Sequence, residues 1–182
     1  MRNNNINPTW YVIIIFILGL FFFTQSAKSE NITGVANVID GDTIRVNGRS
    51  IRLMCIDAPE TSFRGYDQAC IDKKTNCGKK STAFLAKYVH GSDVACTILK
   101  KDRYNRDLGF CFANFDIQEY MLTEGYAIYA PYGNHKHCNE YQQFYKDAIT
   151  EKRGLWKWGF HNPYDWRHNK QIRETYGIKV NK

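Results

Sequence analysis

Five residues in one short stretch have the right types for phosphate chemistry. Asp40, Asp42, Asp57 and Glu60 are four carboxylates, and Arg52 lies between them. They sit in β-rich apolar sequence, where uncompensated charge is costly. A hard, oxygen-seeking cation would make such clustering favourable, because carboxylates and carbonyls are the ligands it takes. An arginine in the same stretch adds a fixed cation with paired donors matched to phosphate oxygens. The chemistry this combination suits is hydrolysis of a phosphodiester. That reaction needs an activated water, neutralisation of charge building on the phosphoryl oxygens, and a restrained substrate.

The elements that must position these groups are short strands. Ile39-Asp40-Gly41-Asp42-Thr43 reads as strand, glycine-permitted bend, strand. Asp40 and Asp42 are two apart, so an extended chain points both to one face. Asn47-Gly48 is a strong hairpin signal joining Asp42–Val46 to Arg49–Ile56, and Pro59 ends the second strand. The hairpin returns Asp42 and Asp57 to the same end of the sheet. Arg52 and Asp57, five apart, face opposite ways in a straight strand, so a bulge or a barrel twist must reconcile them.

Three blocks in order, Asp40-Gly41-Asp42-Thr43, Arg52-Leu53 with Ile56-Asp57-Ala58-Pro59-Glu60, and Asp102-Arg103-Tyr104-Asn105-Arg106, resemble the signature of the staphylococcal nuclease (thermonuclease) family, in its exported, cysteine-containing bacterial branch. The resemblance covers about residues 33 to 160. It implies an α+β fold, mainly β: a five-stranded OB-fold barrel with about three helices. It implies a Ca²⁺-dependent endonuclease that hydrolyses DNA and RNA with little sequence preference. Asp42 and Asp57 would hold the ion, helped by Asp40 through water and by the backbone carbonyl of Ala58. From residue chemistry alone, an all-oxygen site suits Ca²⁺ or Mg²⁺.

Glu60 is the candidate general base, or the group that positions the attacking water. Arg52 and Arg106 are the candidate phosphate clamps. Asp102 is expected to order its turn rather than to bind metal, and Arg103 to be an exposed turn charge. Tyr104, Tyr129 and Tyr132 are candidate stacking platforms for bases. Pro131 interrupts the Tyr129–Tyr132 run, and most of the 12 tyrosines must serve the core or the surface. Lys73, Lys74, Lys79 and Lys80 form a basic cluster that reads equally as a backbone guide or a solvated charged loop.

Composition bounds the rest. The 182 residues carry a net charge of +7, which favours an acidic partner, either nucleic acid or an anionic membrane surface. Trp10–Phe23 is an almost unbroken apolar run of the length of a signal-peptide core and short for a membrane span. Residues 1–27 are therefore expected to be a signal peptide, with an uncleaved N-terminal anchor as the alternative. Residues 28–166 are expected to form the nuclease domain, and 167–182 a polar tail. The expected location is periplasmic or secreted, or else anchored in the inner membrane facing the periplasm. The expected state is a monomer.

Six cysteines after an export-like segment suggest disulfides, with 15 full connectivities open to sequence alone. Cys70 and Cys77 bracket a polar loop. Cys96 and Cys111 flank the Asp102–Arg106 turn on two apolar strands, as cross-strand neighbours would. Cys55 and Cys138 are left over. Zinc is the rival reading, weakened because paired short spacings are lacking.

The element order compatible with these patterns is three β segments over Ile32–Ile56, a helix over Ser81–His90, strands Asp93–Leu99 and Leu108–Asn114, a short helix capped at Asp116, a strand over Tyr126–Tyr129 and a helix over Asn139–Arg153. The rival to an enzyme is a catalytically silent nucleic-acid-binding OB-fold module, exported or membrane-anchored. Against it, every acidic and arginine position of the family pattern is filled.

Overall fold

The structure is a computed structural model that describes residues 29–131 and 136–178. Residues 1–27 and Tyr132 lie outside those residues.

Five strands close a barrel in the order β1-β2-β3-β6-β5: β1 (Glu30–Asp40), β2 (Thr43–Val46), β3 (Arg49–Leu53), β5 (Asp93–Lys101) and β6 (Asp107–Phe112). A two-stranded ribbon, β4 (Ile56–Asp57) with β7 (Ile128–Tyr129), stands beside it. This is the expected OB-like α+β barrel. The described residues include five α-helices against the expected three: α1 (Cys77–Val89), α2 (Ile117–Thr123), α3 (Gln142–Thr150), α4 (Pro163–His168) and α5 (Lys170–Glu174).

Local chemistry explains each turn that matters. Asn47 and Gly48 both have positive φ (49° and 78°), the conformation a tight β2–β3 hairpin requires. Gly41 is needed for a different reason: a Cβ there would overlap Ser81 and Ala58. The β1–β2 register shifts between Val38 and Asp40, so a bulge sits next to Asp40. Barrel closure comes from parallel pairing of β3 with β6, with Arg52 opposite Leu108. That pairing carries the Asp102–Arg106 turn, which precedes β6, to the end of the barrel where Arg52 lies.

The opposed facing of Arg52 and Asp57 is resolved between β3 and β4. Cys55 adopts φ 67°, a left-handed conformation disfavoured for a residue with a Cβ. One left-handed residue re-aims the chain, so Asp57 points back at Arg52. Cys55 is held there by a disulfide to Cys138 and by its carbonyl, which accepts from Ala130 N–H at 2.8 Å.

All six cysteines are paired. Cys70–Cys77 and Cys96–Cys111 follow the expected pattern, the latter between directly opposed residues of β5 and β6. The third bond, Cys55–Cys138, spans 83 residues. Three disulfides indicate a compartment that oxidises thiols. Among the described residues, no helix is long and apolar enough to cross a membrane.

Helix boundaries moved for capping reasons. α1 begins at Cys77, earlier than Ser81, because the Asn76 side chain accepts from Lys79 N–H. Asp116 caps α2 by accepting from Glu119 N–H, as expected. The segment expected as one helix from Asn139 is a 3-10 turn (Lys136–Tyr141) followed by α3, and Cys138 in that turn is tied to the barrel. The C-terminal segment expected as a polar tail continues the fold to Ile178. It contains the last residues of α4 and all of α5, and Arg173 and Ile178 are buried.

Candidate active site

Arg52 lies at the centre of the site. Its guanidinium forks between two buried carboxylates, Nη1 to Asp42 Oδ1 and Nη2 to Asp57 Oδ1, both at 2.6 Å. Asp42 is 3% exposed and Asp57 1%. Asp42 Oδ1 also accepts from the Thr43 hydroxyl at 3.0 Å, and Oδ2 from Ala58 N–H at 2.9 Å. Asp40 Oδ1 accepts from Asp42 N–H at 3.1 Å, which orients the bend around Gly41.

A cleft of about 800 Å³ opens over this pair. It is lined by Asp40, Asp42, Arg52, Ala58 and Glu60 on one side of the chain order and by Tyr104 and Arg106 from the β5–β6 turn. The structure thus brings together the residues singled out from all three sequence blocks. Asp57 lies beneath them as the buried partner of Arg52. Asp102 orders the turn: its carboxylate accepts from Tyr104 N–H and Arg106 N–H, and from Arg106 Nε at 2.8 Å. Arg106 also lies over the Tyr104 ring, 5.6 Å from its centroid.

Tyr129 departs from expectation. It is not among the cleft-lining residues. It pairs with Ile56 in β7 and its ring faces Tyr145, so it belongs to the packing between the β4–β7 ribbon and α3.

Sequence reasoning missed the opposite wall of the cleft. Phe63 and Arg64 line it from the loop after Glu60, and Tyr164, Arg167 and His168 line it from α4. Tyr164 and His168 stack at 4.2 Å, one helical turn apart. Arg167 Nη1 and Nη2 donate to Asp57 Oδ1 and Oδ2 at 3.0 and 2.8 Å, and Nη1 also donates to Glu60 Oε1. The one available signal was Asn162-Pro163 ahead of Trp166, a helix start followed by an anchor residue. An arginine in a polar segment otherwise reads as solvated.

Burial shapes the electrostatics. It pushes the Asp42 carboxyl well above the usual carboxylate range, against the opposing pull of Arg52. It also raises Glu60, against its hydrogen bond from Arg167. A raised carboxyl beside an arginine means its charge is under-compensated. Three carboxylates, Asp42, Asp57 and Glu60, share two guanidiniums, Arg52 and Arg167, while Arg64, Arg103 and Arg106 also line the cleft.

The donor set suits a hard divalent cation in ligand type. Among the described residues, no three His, Cys, Asp or Glu side chains are already gathered as a metal cluster. Asp42 and Asp57 are instead shared with arginines, so a cation taking both must displace or share those bonds.

A small barrel with an acidic and arginine-lined cleft at its mouth defines the architecture of a phosphodiester-cleaving nuclease. The comparisons identify the family: residues 50–158 match the family described as staphylococcal nuclease homologue, and the chain belongs to that family. The matched segment starts after Asp40 and Asp42 and stops before Arg167. An uncharacterized endonuclease of Escherichia coli O157:H7 is 34% identical over 162 residues, covering 84% of this chain and 96% of the relative. The thermonuclease of Staphylococcus hyicus is 28% identical over 167 residues, covering 80% and 92%. The succinoglycan biosynthesis protein ExoI of Rhizobium meliloti is 30% identical over 148 residues, covering 78% and 73%. Membership, with the relatives named endonuclease and thermonuclease, supports a nuclease.

Proposed function

We propose that the chain is an exported, Ca²⁺-dependent phosphodiesterase that cleaves DNA and RNA internally with little sequence preference. The observation that carries this reading is the convergence of Asp42, Arg52, Glu60 and Arg106 on one cleft, with Asp57 beneath. Asp42, Asp57, the Ala58 carbonyl and, through water, Asp40 are the groups that would hold the ion. When bound, such an ion polarises a phosphoryl oxygen and lowers the pKa of a ligand water.

The protein's own residues do the rest. Arg52 and Arg106 hold the non-bridging phosphate oxygens and oppose the charge that grows on them in the transition state. Glu60 accepts a proton as the water oxygen bonds to phosphorus. The P–O bond to the leaving sugar oxygen breaks with its electron pair, that oxygen takes a proton from solvent water, and Glu60 releases its proton to solvent. Burial raises Glu60, which brings it nearer the pKa a base needs at neutral pH. Tyr104, 65% exposed at the rim, offers a face for base stacking.

The test is release of acid-soluble nucleotides from single-stranded DNA and from RNA, with Ca²⁺ and with chelator. We expect cleavage of both polymers that needs Ca²⁺ and falls at least about 100-fold in Glu60→Ser, the lower range for loss of a general base. Undiminished cleavage in chelator, or in Glu60→Ser, would refute it.

A further inference from the structure

We propose that Arg167 is a positioning residue of the active site, holding Glu60 and sharing Asp57 with the bound cation. This deepens the reading of Asp57 and Glu60 given above and depends on it.

The geometry is specific. One guanidinium spans both oxygens of Asp57 and one oxygen of Glu60, from 110 and 107 residues away in sequence. Its side chain is 18% exposed, so these bonds are shielded from solvent. A surface arginine with a free choice of partners would not hold two carboxylates in a closed cleft wall.

The helix that carries it is fixed. Trp166, the neighbouring residue, is fully buried, and Pro163 at the start of α4 is buried too. The Asn162 side chain caps the helix by accepting from Tyr164 N–H at 2.8 Å. Gln68, also fully buried, donates from Nε2 to the His161 carbonyl at 2.6 Å and accepts from Glu60 N–H at 3.2 Å. Gln68 therefore ties the backbone of Glu60 to the approach of α4. On the far side, Arg173 donates to the Trp166 carbonyl. The C-terminal segment and the Glu60 loop are one packed unit, and Arg167 is its contact with the acidic groups.

Two consequences follow, of opposite sign. Arg167 engages both oxygens of a proposed cation ligand and places a positive charge beside the ion, so it weakens cation binding. It also restrains the Glu60 carboxylate, so it supports turnover. Loss of fold or of site geometry would weaken both together. A cation-tuning and base-orienting arginine, once removed, must tighten one and impair the other.

The experiment compares the full chain with Arg167→Met, which keeps reach and loses charge, and with Arg167→Lys. Ca²⁺ affinity is measured by calorimetry without substrate, kcat and KM on single-stranded DNA, and folding by near-ultraviolet circular dichroism. We expect Arg167→Met to bind Ca²⁺ at least about tenfold more tightly, because even in a water-like dielectric a unit charge beside a divalent ion costs on that order, and shielding from solvent enlarges it. We expect kcat to fall about 100-fold, as misplacement of a reacting group can cost, with KM changed less than about threefold.

Arg167→Lys should return Ca²⁺ affinity to near that of the parent but not kcat, because one ammonium cannot reproduce the fork. Unchanged or weaker Ca²⁺ binding in a folded Arg167→Met protein would overturn the proposal, as would an unchanged kcat. If Arg167→Met does not fold, Arg167→Lys decides: full kcat there overturns it. A parent protein that neither binds Ca²⁺ nor cleaves would overturn the functional reading itself, and this proposal with it.

Discussion

Replacing Arg52 with methionine tests the centre of the site without relying on turnover. The side chain is 11% exposed and makes two charge-assisted hydrogen bonds at 2.6 Å, to Asp42 and to Asp57. Bonds of this kind contribute about 1.5–3 kcal/mol each, so the pair sets a range of about 3–6 kcal/mol. Removing one partner of a buried ion pair costs about 3–5 kcal/mol, because the other charge stays buried. Here the remaining charges are not abandoned. Asp57 keeps Arg167, and Asp42 keeps Thr43 and the Ala58 amide.

The lower end, about 3 kcal/mol, is therefore expected for Arg52→Met at pH 7 in chelator. With a urea slope of about 2 kcal/mol/M, the unfolding midpoint should fall by about 1.5 M. Millimolar Ca²⁺ should narrow the gap between parent and variant by about 1 kcal/mol or more, because a cation can take over neutralisation of the same two carboxylates. Urea titrations followed by tryptophan fluorescence, with and without Ca²⁺, measure both quantities. A midpoint loss below about 0.5 M in chelator would show that the fork contributes little to the fold. A gap that Ca²⁺ leaves unchanged would remove Asp42 and Asp57 from the ion's ligands.

Two further outcomes follow from the fold. Cys55→Ala/Cys138→Ala opens a loop of 83 residues and should cost about 4.5 kcal/mol by chain entropy, against about 2.4 kcal/mol for the 7-residue Cys70–Cys77 loop; equal urea midpoints for the two double variants would refute that ordering. Asp107, buried on β6, has its carboxyl held below the usual range chiefly by the Arg49 hydrogen bond. A depressed carboxyl contributes stability that is full above about pH 4 and lost as pH falls through its folded value. Asp107→Asn should therefore flatten the acid limb of the stability curve below about pH 4, and an unchanged limb would refute it.

The sequence determined what is written in short spacings. Asn47-Gly48 could only be a tight turn. A single glycine separates Asp40 from Asp42, and that spacing places both carboxylates at the bend. Asp102-Arg103-Tyr104-Asn105-Arg106 held a turn whose first side chain could cap its own amides, and Cys96 and Cys111 lay symmetrically about it. These signals are local because turn dihedrals and side-chain-to-backbone hydrogen bonds reach only a few residues.

Tertiary structure alone decided the contacts between distant residues. The left-handed Cys55 that turns Asp57 toward Arg52 depends on a disulfide partner 83 residues away. The parallel β3–β6 pairing that delivers Arg106 leaves no turn signature, because those strands are not sequence neighbours. Tyr129 had the right type for the cleft, but its strand register placed it against Tyr145. Arg167 is the clearest case. In sequence it is one basic residue among polar ones, and it becomes part of an acidic site only because buried Trp166 sets its helix against the Glu60 loop. Spacing records what the backbone can do over a turn or a strand. Which distant charges meet is settled by packing, since burial is what makes an uncompensated carboxylate costly and its partner necessary.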